Sequence, residues 1–286
     1  MKYIVNEEEI LLKFLINNIE NKSKNNVKSL IDRGNVSVNN IIITKQNYSL
    51  KKNDIVTVNY FNKIINLRKS IDIIYEDDEI IAINKPSGML SISTNNEKEN
   101  TAFHLVMQYL KDKNKNNRVF IVHRLDKDTS GVIMFAKNQS IKFAFQNKWD
   151  NLILKREYIA IVNGDTLNND TIKNYLKENK NLFVYSTDNK YDGKLAITHY
   201  KKIKSNSKYS MLEINIDTGR KNQIRVHMKD IGHTIIGDSK YGDGISPIKR
   251  LGLHASRLTL KHPINNKIID LISPIPKEFN YVFKGN

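Results

Sequence analysis

The chain has no cysteine in its 286 residues. That excludes disulfides, a thiolate nucleophile and a cysteine-based zinc site, and it fits a reducing, cytoplasmic setting. Long apolar runs are missing too, since none approaches the ~20 residues that a membrane-spanning helix needs. The N-terminus, Met1-Lys2-Tyr3-Ile4-Val5-Asn6-Glu7-Glu8-Glu9, turns acidic where a signal peptide would turn apolar. There is no internal repeat and no carboxylate cluster of the kind a metal-dependent nuclease uses. Acidic side chains are outnumbered, 30 Asp and Glu against 46 Lys and Arg, for a formal net charge of +16. A polyanion is the partner this sign calls for, although part of the charge belongs to a background rich in Asn, Lys and Ile. Hydrophobic residues make up 40% of the chain, enough for a globular core and too many for disorder.

The length allows two domains. In the first, residues 1–66, Ile10, Leu11, Phe14, Leu15 and Ile19 recur at helical spacing. Ser23 is placed to cap a second helix carrying Val27, Leu30 and Ile31, which stops at Gly34. Residues 36–38 and 41–43 read as strands about an Asn39-Asn40 turn, and residues 55–58 as another. Lys22, Lys24, Lys28 and Arg33 lie on or beside the second helix. Two short helices and a β-loop, with Ile-Asp-Arg-Gly-Asn-Val-Ser-Val-Asn from Ile31 to Asn39, resemble the "S-four" RNA-binding module. The resemblance implies RNA contacts from Lys24, Lys28 and Arg33.

Residues 62–70 read as a linker to a second domain, 67–286. Residues 71–75 and 80–83 make a strand pair, 101–110 and 139–149 helices, and 158–162, 210–216 and 257–260 strands. Lysine-rich residues 177–180 and 201–208 read as surface loops. Helices interrupt the strands without strict βαβ alternation, so the fold class is α+β with a mostly antiparallel mixed sheet and a central cleft.

The densest chemistry is His123-Arg124-Leu125-Asp126-Lys127-Asp128-Thr129-Ser130-Gly131. It lies between the apolar runs 119–122 and 132–136, so imidazole, guanidinium and carboxylate sit on a turn between two strands. A Ser130–His123–Asp128 triad is disfavoured because the three crowd one turn. His227, His233, His254 and His262 lack metal-ligand spacing and read as structural.

The segment from His123 to Gly131 resembles the motif HRLDxxTSG of the RluA/RluD-type pseudouridine synthases. Other segments follow in the family's order. Asn84-Lys85-Pro86-Ser87-Gly88-Met89 matches its first turn, and Lys155-Arg156-Glu157-Tyr158 its tyrosine-bearing strand. Thr218-Gly219-Arg220-Lys221-Asn222-Gln223-Ile224-Arg225-Val226-His227 matches its arginine motif. Gly232-His233, Gly237-Asp238, Tyr241-Gly242, Leu253-His254-Ala255 and His262-Pro263 complete the pattern, which covers residues 70–280. The arginine motif more often reads TGRTHQIRVH; Lys221-Asn222 here stands for Thr-His, a departure that bears on substrate choice more than on chemistry.

The resemblance implies isomerisation of uridine in RNA to pseudouridine, with no metal and no organic cofactor. The bond from ribose to uracil nitrogen must break, the base rotate and a bond to carbon form. Asp126 carries the essential role. Whether it attacks the sugar, attacks the base or removes a ribose proton is left open by the sequence. Arg225 is the expected ion-pair partner that keeps a desolvated carboxylate charged. Tyr158 is expected to stack on the flipped uracil and to assist loss of the proton at carbon 5. Arg124, Arg220 and Gln223 are expected at the RNA, with Arg124 either filling the gap left by the base or holding a phosphate. A monomer acting on ribosomal RNA, with transfer RNA as the other possibility, is the expected arrangement. The rivals are a non-catalytic RNA-binding or ribosome-assembly protein, and a glycosylase or nuclease. Intact Asp126, Tyr158 and Arg225 argue against the first.

Overall fold

The computed structural model describes residues 1–20, 23–32, 34–58, 71–94, 97 and 99–283. The chain divides into two compact units, Met1–Ser70 and Ile71–Asn286. The expected linker at 62–70 lies outside the described residues, as does Arg33.

In the first unit, strands β1 (Lys2–Ile4) and β2 (Glu9–Ile10) precede helices α1 (Leu11–Asn18) and α2 (Lys24–Asp32). Strands β3 (Val36–Val38), β4 (Ile41–Ile42), β5 (Ser49–Leu50) and β6 (Ile55–Val58) follow. Leu11, Phe14 and Leu15 on α1 and Val27, Leu30 and Ile31 on α2 are buried together with Val36, Val38, Val56 and Val58. The Ser23 hydroxyl accepts the Asn26 N–H at 3.3 Å, as an N-cap should. Gly34 leaves the helix at φ +67°, a backbone region glycine enters without a Cβ clash. Asn39 and Asn40 both have positive φ, 49° and 69°, the turn that matches strand twist. Strand β1, which the sequence pattern does not reveal, pairs with β6 at the edge of a sheet ordered β1-β6-β3-β4. Three residues are too few to show an alternation.

The second unit contains β7 (Asp72–Glu76), β8 (Ile80–Lys85), α3 (Ala102–Lys113), β9 (Phe120–Ile121), β10 (Ser130–Ala136), α4 (Gln139–Leu152) and β11 (Ile153–Asn163). It continues with β12 (Asn169–Glu178), β13 (Val184–Thr187), β14 (Lys194–Ser205), β15 (Tyr209–Ile216), α5 (Gln223–Asp230), β16 (Leu253–Lys261), β17 (Ile268–Ile272) and α6 (Lys277–Tyr281). One sheet runs β13-β12-β14-β15-β11-β16-β10-β8-β7, with β17 beside β16 and β9 beside β10. Its pairings are antiparallel except β10 with β16, which is parallel. The fold is α+β with a mostly antiparallel mixed sheet.

The centre of this sheet is buried on both faces, which is why β8 and β10 are nearly continuous apolar runs. Val132, Met134 and Ala136 face α4, whose Ile141 and Phe145 they meet. Ile133 and Phe135 face α3 through Val106 and Leu110. Each fully buried side chain of this size contributes about 1.5–3 kcal/mol. Beyond β15, the strands β14 and β12 carry one solvated face. Residues 177–178 end β12 and 201–205 end β14, so the lysine-rich stretches expected as loops are largely strand. A strand with one solvated face tolerates lysine at alternate positions, and that reads as a loop in sequence.

Candidate active site

Residues 122–129 connect β9 to β10 and are fastened by the turn that follows β8. Ser91 Oγ donates to Leu125 O at 2.6 Å and accepts the Leu125 N–H at 3.0 Å. Ser87 Oγ donates to Asp128 O at 2.7 Å. Lys85, fully buried, donates from Nζ to Lys127 O at 3.0 Å, Met89 O at 2.7 Å and Pro86 O at 3.0 Å. Burial pulls its ammonium down to about 8, against the charges of Asp128 and Asp126. Gly131 closes the loop at φ +110°; a Cβ there would lie 2.1 Å from Ala255 O, so the parallel contact of β10 with β16 requires glycine.

This loop presents Asp126 to a cleft of about 910 Å³. Arg124, Arg156, Tyr158, Arg220 and Arg225 line the same cleft, with Trp149 and Leu253. The segment around Arg225 is helix α5, laid against the β11 and β14–β15 face through Ile224 and Met228. From it Arg225 Nη1 reaches Asp126 Oδ2 at 3.4 Å. Its stronger bonds go elsewhere: Nε and Nη2 each donate to Asp238 at 2.7 Å, a bidentate pair. Burial opposes the Arg225 charge, but Asp238 and then Asp126 outweigh it and hold the guanidinium above its usual range. Burial likewise works against the Asp238 charge, and Arg225 with the backbone N–H groups of Tyr241 and Lys240 keeps the carboxyl below its usual range.

Tyr158, half-buried on β11, has its hydroxyl pushed up to about 12 by desolvation, which the Arg156 charge opposes and Asp126 reinforces. The resting phenol is therefore neutral and offers a ring face and an O–H. Arg156 sits two residues earlier on the same strand and donates to Asp217 O. Burial lowers its pKa, with Tyr158, Asp150 and Asp217 opposing the loss. The sequence alone assigns Arg156 no role, although its i, i+2 spacing from Tyr158 on a strand signals that both share a face. Asp238 is likewise visible in sequence only as part of a glycine-bearing motif.

Arg124 and Arg220 are exposed at the cleft. Arg220 also donates from Nε to Leu195 O at 2.9 Å. Gln223, expected at the RNA, lines the same cleft but is buried and bonded within the protein. Its Oε1 accepts from Thr218 Oγ1 and the Arg220 N–H, and its Nε2 donates to Ile197 O and Thr198 Oγ1. With both amide hydrogens and both lone pairs engaged, it braces the turn before α5. Lys24 and Lys28 lie one turn apart on α2, away from its buried face, with Lys24 exposed and Lys28 partly covered.

The histidines are tied to protein groups. His123 Nε2 accepts the Met134 N–H at 2.9 Å, and burial, then the Arg156 charge, pulls its pKa to about 4. Ser130 pairs with His254 at 2.8 Å and accepts from Arg250, so the 130–123–128 triad is not formed. His227 bridges Thr198 and Asn174. Among the described residues no three His, Cys, Asp or Glu side chains are grouped to hold a metal ion, and no helix is long and apolar enough to cross a membrane.

The family model for RNA pseudouridylate synthase matches residues 79–230, which carry both the Asp126 loop and Arg225. An uncharacterized RNA pseudouridine synthase of Mycoplasma genitalium is 32% identical over 284 residues, spanning 95% of this chain and 91% of the relative. Ribosomal large subunit pseudouridine synthase D of Buchnera aphidicola is 31% identical over 283 residues, 90% of this chain and 88% of the relative. The solved structure of human RNA pseudouridylate synthase domain containing 4 shares the fold, with a TM-score of 0.61 at 22% identity over 75% of this chain and 92% of that one. With a family match over more than half the chain and a full-length relative above 30% identity, the protein belongs to the RNA pseudouridylate synthase family and is an RNA pseudouridine synthase, an isomerase.

Proposed function

We propose that Asp126 is the essential carboxylate of this isomerase and that its substrate is large-subunit ribosomal RNA. The observation that carries the first part is convergence: a loop pinned at four backbone atoms, at Leu125, Lys127 and Asp128, holds Asp126 against Arg225 and in the cleft that Tyr158 lines. A carboxylate 3.4 Å from a guanidinium, in a cleft that a tyrosine ring lines, suits a flipped uridine. Stacking on Tyr158 is worth about 1–3 kcal/mol and offsets part of the few kcal/mol that unstacking the base costs. Exposed Arg124 and Arg220 at the cleft suit the phosphates on either side.

The ribosomal assignment is supported by the Buchnera relative, whose name specifies the large ribosomal subunit. The first unit, with Lys24 and Lys28 on the open face of α2, supports a second RNA contact of the S-four kind. The reading also makes the enzyme a cytoplasmic monomer that needs no cofactor.

The test is to map pseudouridine in total RNA from cells with and without the gene, then restore either the wild-type chain or Asp126→Asn. The wild type should return specific sites in large-subunit ribosomal RNA and Asp126→Asn none, while the variant protein remains folded and binds RNA. Sites that reappear only in transfer RNA would overturn the substrate. Product from Asp126→Asn within tenfold of wild type would overturn the residue.

A further inference from the structure

Asn222 stands at the N-cap of α5, buried, with φ 55° and ψ 18°. Its side-chain amide lies between Asp126 and Tyr241. With the amide nitrogen toward the cleft, Nδ2 donates to Asp126 Oδ2 at 2.7 Å and lies 3.3 Å from Oδ1, while the amide oxygen accepts from the Tyr241 hydroxyl at 3.0 Å. The opposite orientation would set the amide oxygen against a carboxylate, two acceptors face to face. Tyr241 Oη in turn accepts the Val184 N–H at 3.2 Å, so its own hydrogen is directed to Asn222. The donors run one way, from Val184 N–H to Tyr241 O–H to Asn222 N–H to Asp126.

This bond is shorter than the 3.4 Å contact from Arg225, whose fork is committed to Asp238. The amide, more than the guanidinium, therefore sets the angle of the carboxylate. Asn222 also stands where the family's arginine motif more often has histidine. From the sequence alone that departure bears on substrate choice; its position against Asp126 ties it to the chemistry.

We propose that Asn222 is a positioning residue for the isomerisation, which orients the Asp126 carboxylate and favours its ionised form through the bond chain from Tyr241. The inference rests on the assignment of Asp126 made above. The charged and titratable groups facing Asp126 are Arg225 from α5, Lys85 from β8, Tyr158 from β11 and Lys240 from the loop after α5, with Asp128 on its own loop and Asp238 behind Arg225. Of these, Arg225 also borders the Asn222 side-chain amide, with Nη1 3.5 Å away.

Two substitutions suit the left-handed backbone. Asn222→Gly removes the amide and keeps a residue at ease with positive φ. Asn222→His keeps an N–H donor two bonds beyond Cβ, on a residue type that also tolerates positive φ. The measurement is the single-turnover rate of pseudouridine formation against pH, with enzyme in excess over total RNA from cells lacking the gene. RNA affinity, the thermal midpoint and an Asp126→Asn control accompany it. Asn222→Gly should slow the reaction about ten- to hundredfold, as small misplacements of a reacting group do. Its acid limb should move up by about half to one pH unit, since a donor to the charged form is removed. RNA affinity should stay within about twofold, and Asn222→His should recover most of the rate and the wild-type limb. A wild-type rate and profile for Asn222→Gly would overturn the proposal. So would equal losses in both variants with an unmoved acid limb, which would mark a purely structural role. If Asp126→Asn is inactive in either case, only the Asn222 proposal falls; if Asp126→Asn forms product, the Asp126 reading falls and takes this one with it.

Discussion

Arg225 gives two 2.7 Å bonds to Asp238 and a single 3.4 Å contact to Asp126. Asp238 is only 1% exposed, so the pair is a buried salt bridge whose partner charges depend on each other. The sequence alone pairs Arg225 with Asp126. The structure makes Asp238 the anchor and Asp126 the recipient of what is left of the fork.

Arg225→Met should therefore harm stability as well as catalysis. Stranding the Asp238 carboxylate should cost about 3–5 kcal/mol in urea unfolding. The double variant Arg225→Met/Asp238→Asn should regain much of that, because the Asn oxygen still accepts the Lys240 and Tyr241 N–H groups. In the double variant the acid limb of the single-turnover profile should lie at higher pH than in wild type, since a cation beside a carboxylate favours its charged form. Arg124→Met should keep the wild-type limb and weaken RNA affinity instead. Superimposable profiles for the double variant and wild type would make Arg225 an RNA contact.

Tyr158→Phe retains the ring and removes the O–H. Turnover should fall about 10²–10⁴-fold while RNA affinity changes little, if measured as kcat and Kd separately. A hydroxyl held near 12 is neutral at working pH, so the wild-type rate should show no alkaline rise below about pH 9 from this group. Unchanged turnover would leave Tyr158 as a stacking platform only.

Lys85 gives a pH dependence with a definite sign. Its folded value of about 8 lies below the ordinary 10.5, so between these pH values the unfolded chain holds a proton that the folded chain has released. Stability contributed by this group then rises as pH climbs from about 8 toward 10.5. Lys85→Met should cost about 1–3 kcal/mol at about pH 7 by leaving the Pro86, Met89 and Lys127 carbonyls without their donor. The gap between wild type and variant should widen from about pH 7.5 to about pH 10 in urea unfolding. Parallel pH dependences would show that Lys85 does not titrate there.

Removal of residues 1–66 should leave a folded catalytic unit, because Ile71–Asn286 has cores of its own. RNA binding should weaken, and the plot of log affinity against log salt should flatten by a slope of about 0.7–0.9 for each phosphate that the shortened chain no longer neutralises. An unchanged slope would mean that Lys24 and Lys28 do not meet RNA.

The sequence by itself determined the local features. Alternation and helical spacing fixed most elements, because one buried face writes its period into the chain. The loop carrying Asp126 was legible, since polar residues between two apolar runs can only be a connection. Gly34 and the Asn39-Asn40 turn were legible because positive φ restricts residue choice. Tertiary structure decided what depends on distant partners. Whether residues 201–205 form a strand depends on β12 and β15, which supply their ladder. That Gln223 is buried depends on Thr198, 25 positions away. That Arg225 belongs to Asp238 as well as Asp126, and that Asn222 meets Asp126 at all, depends on α5 settling on the sheet beside a loop almost a hundred residues earlier. Hydrogen bonds across such separations leave no periodic trace in sequence, because they fix single atoms in space and not a repeating face.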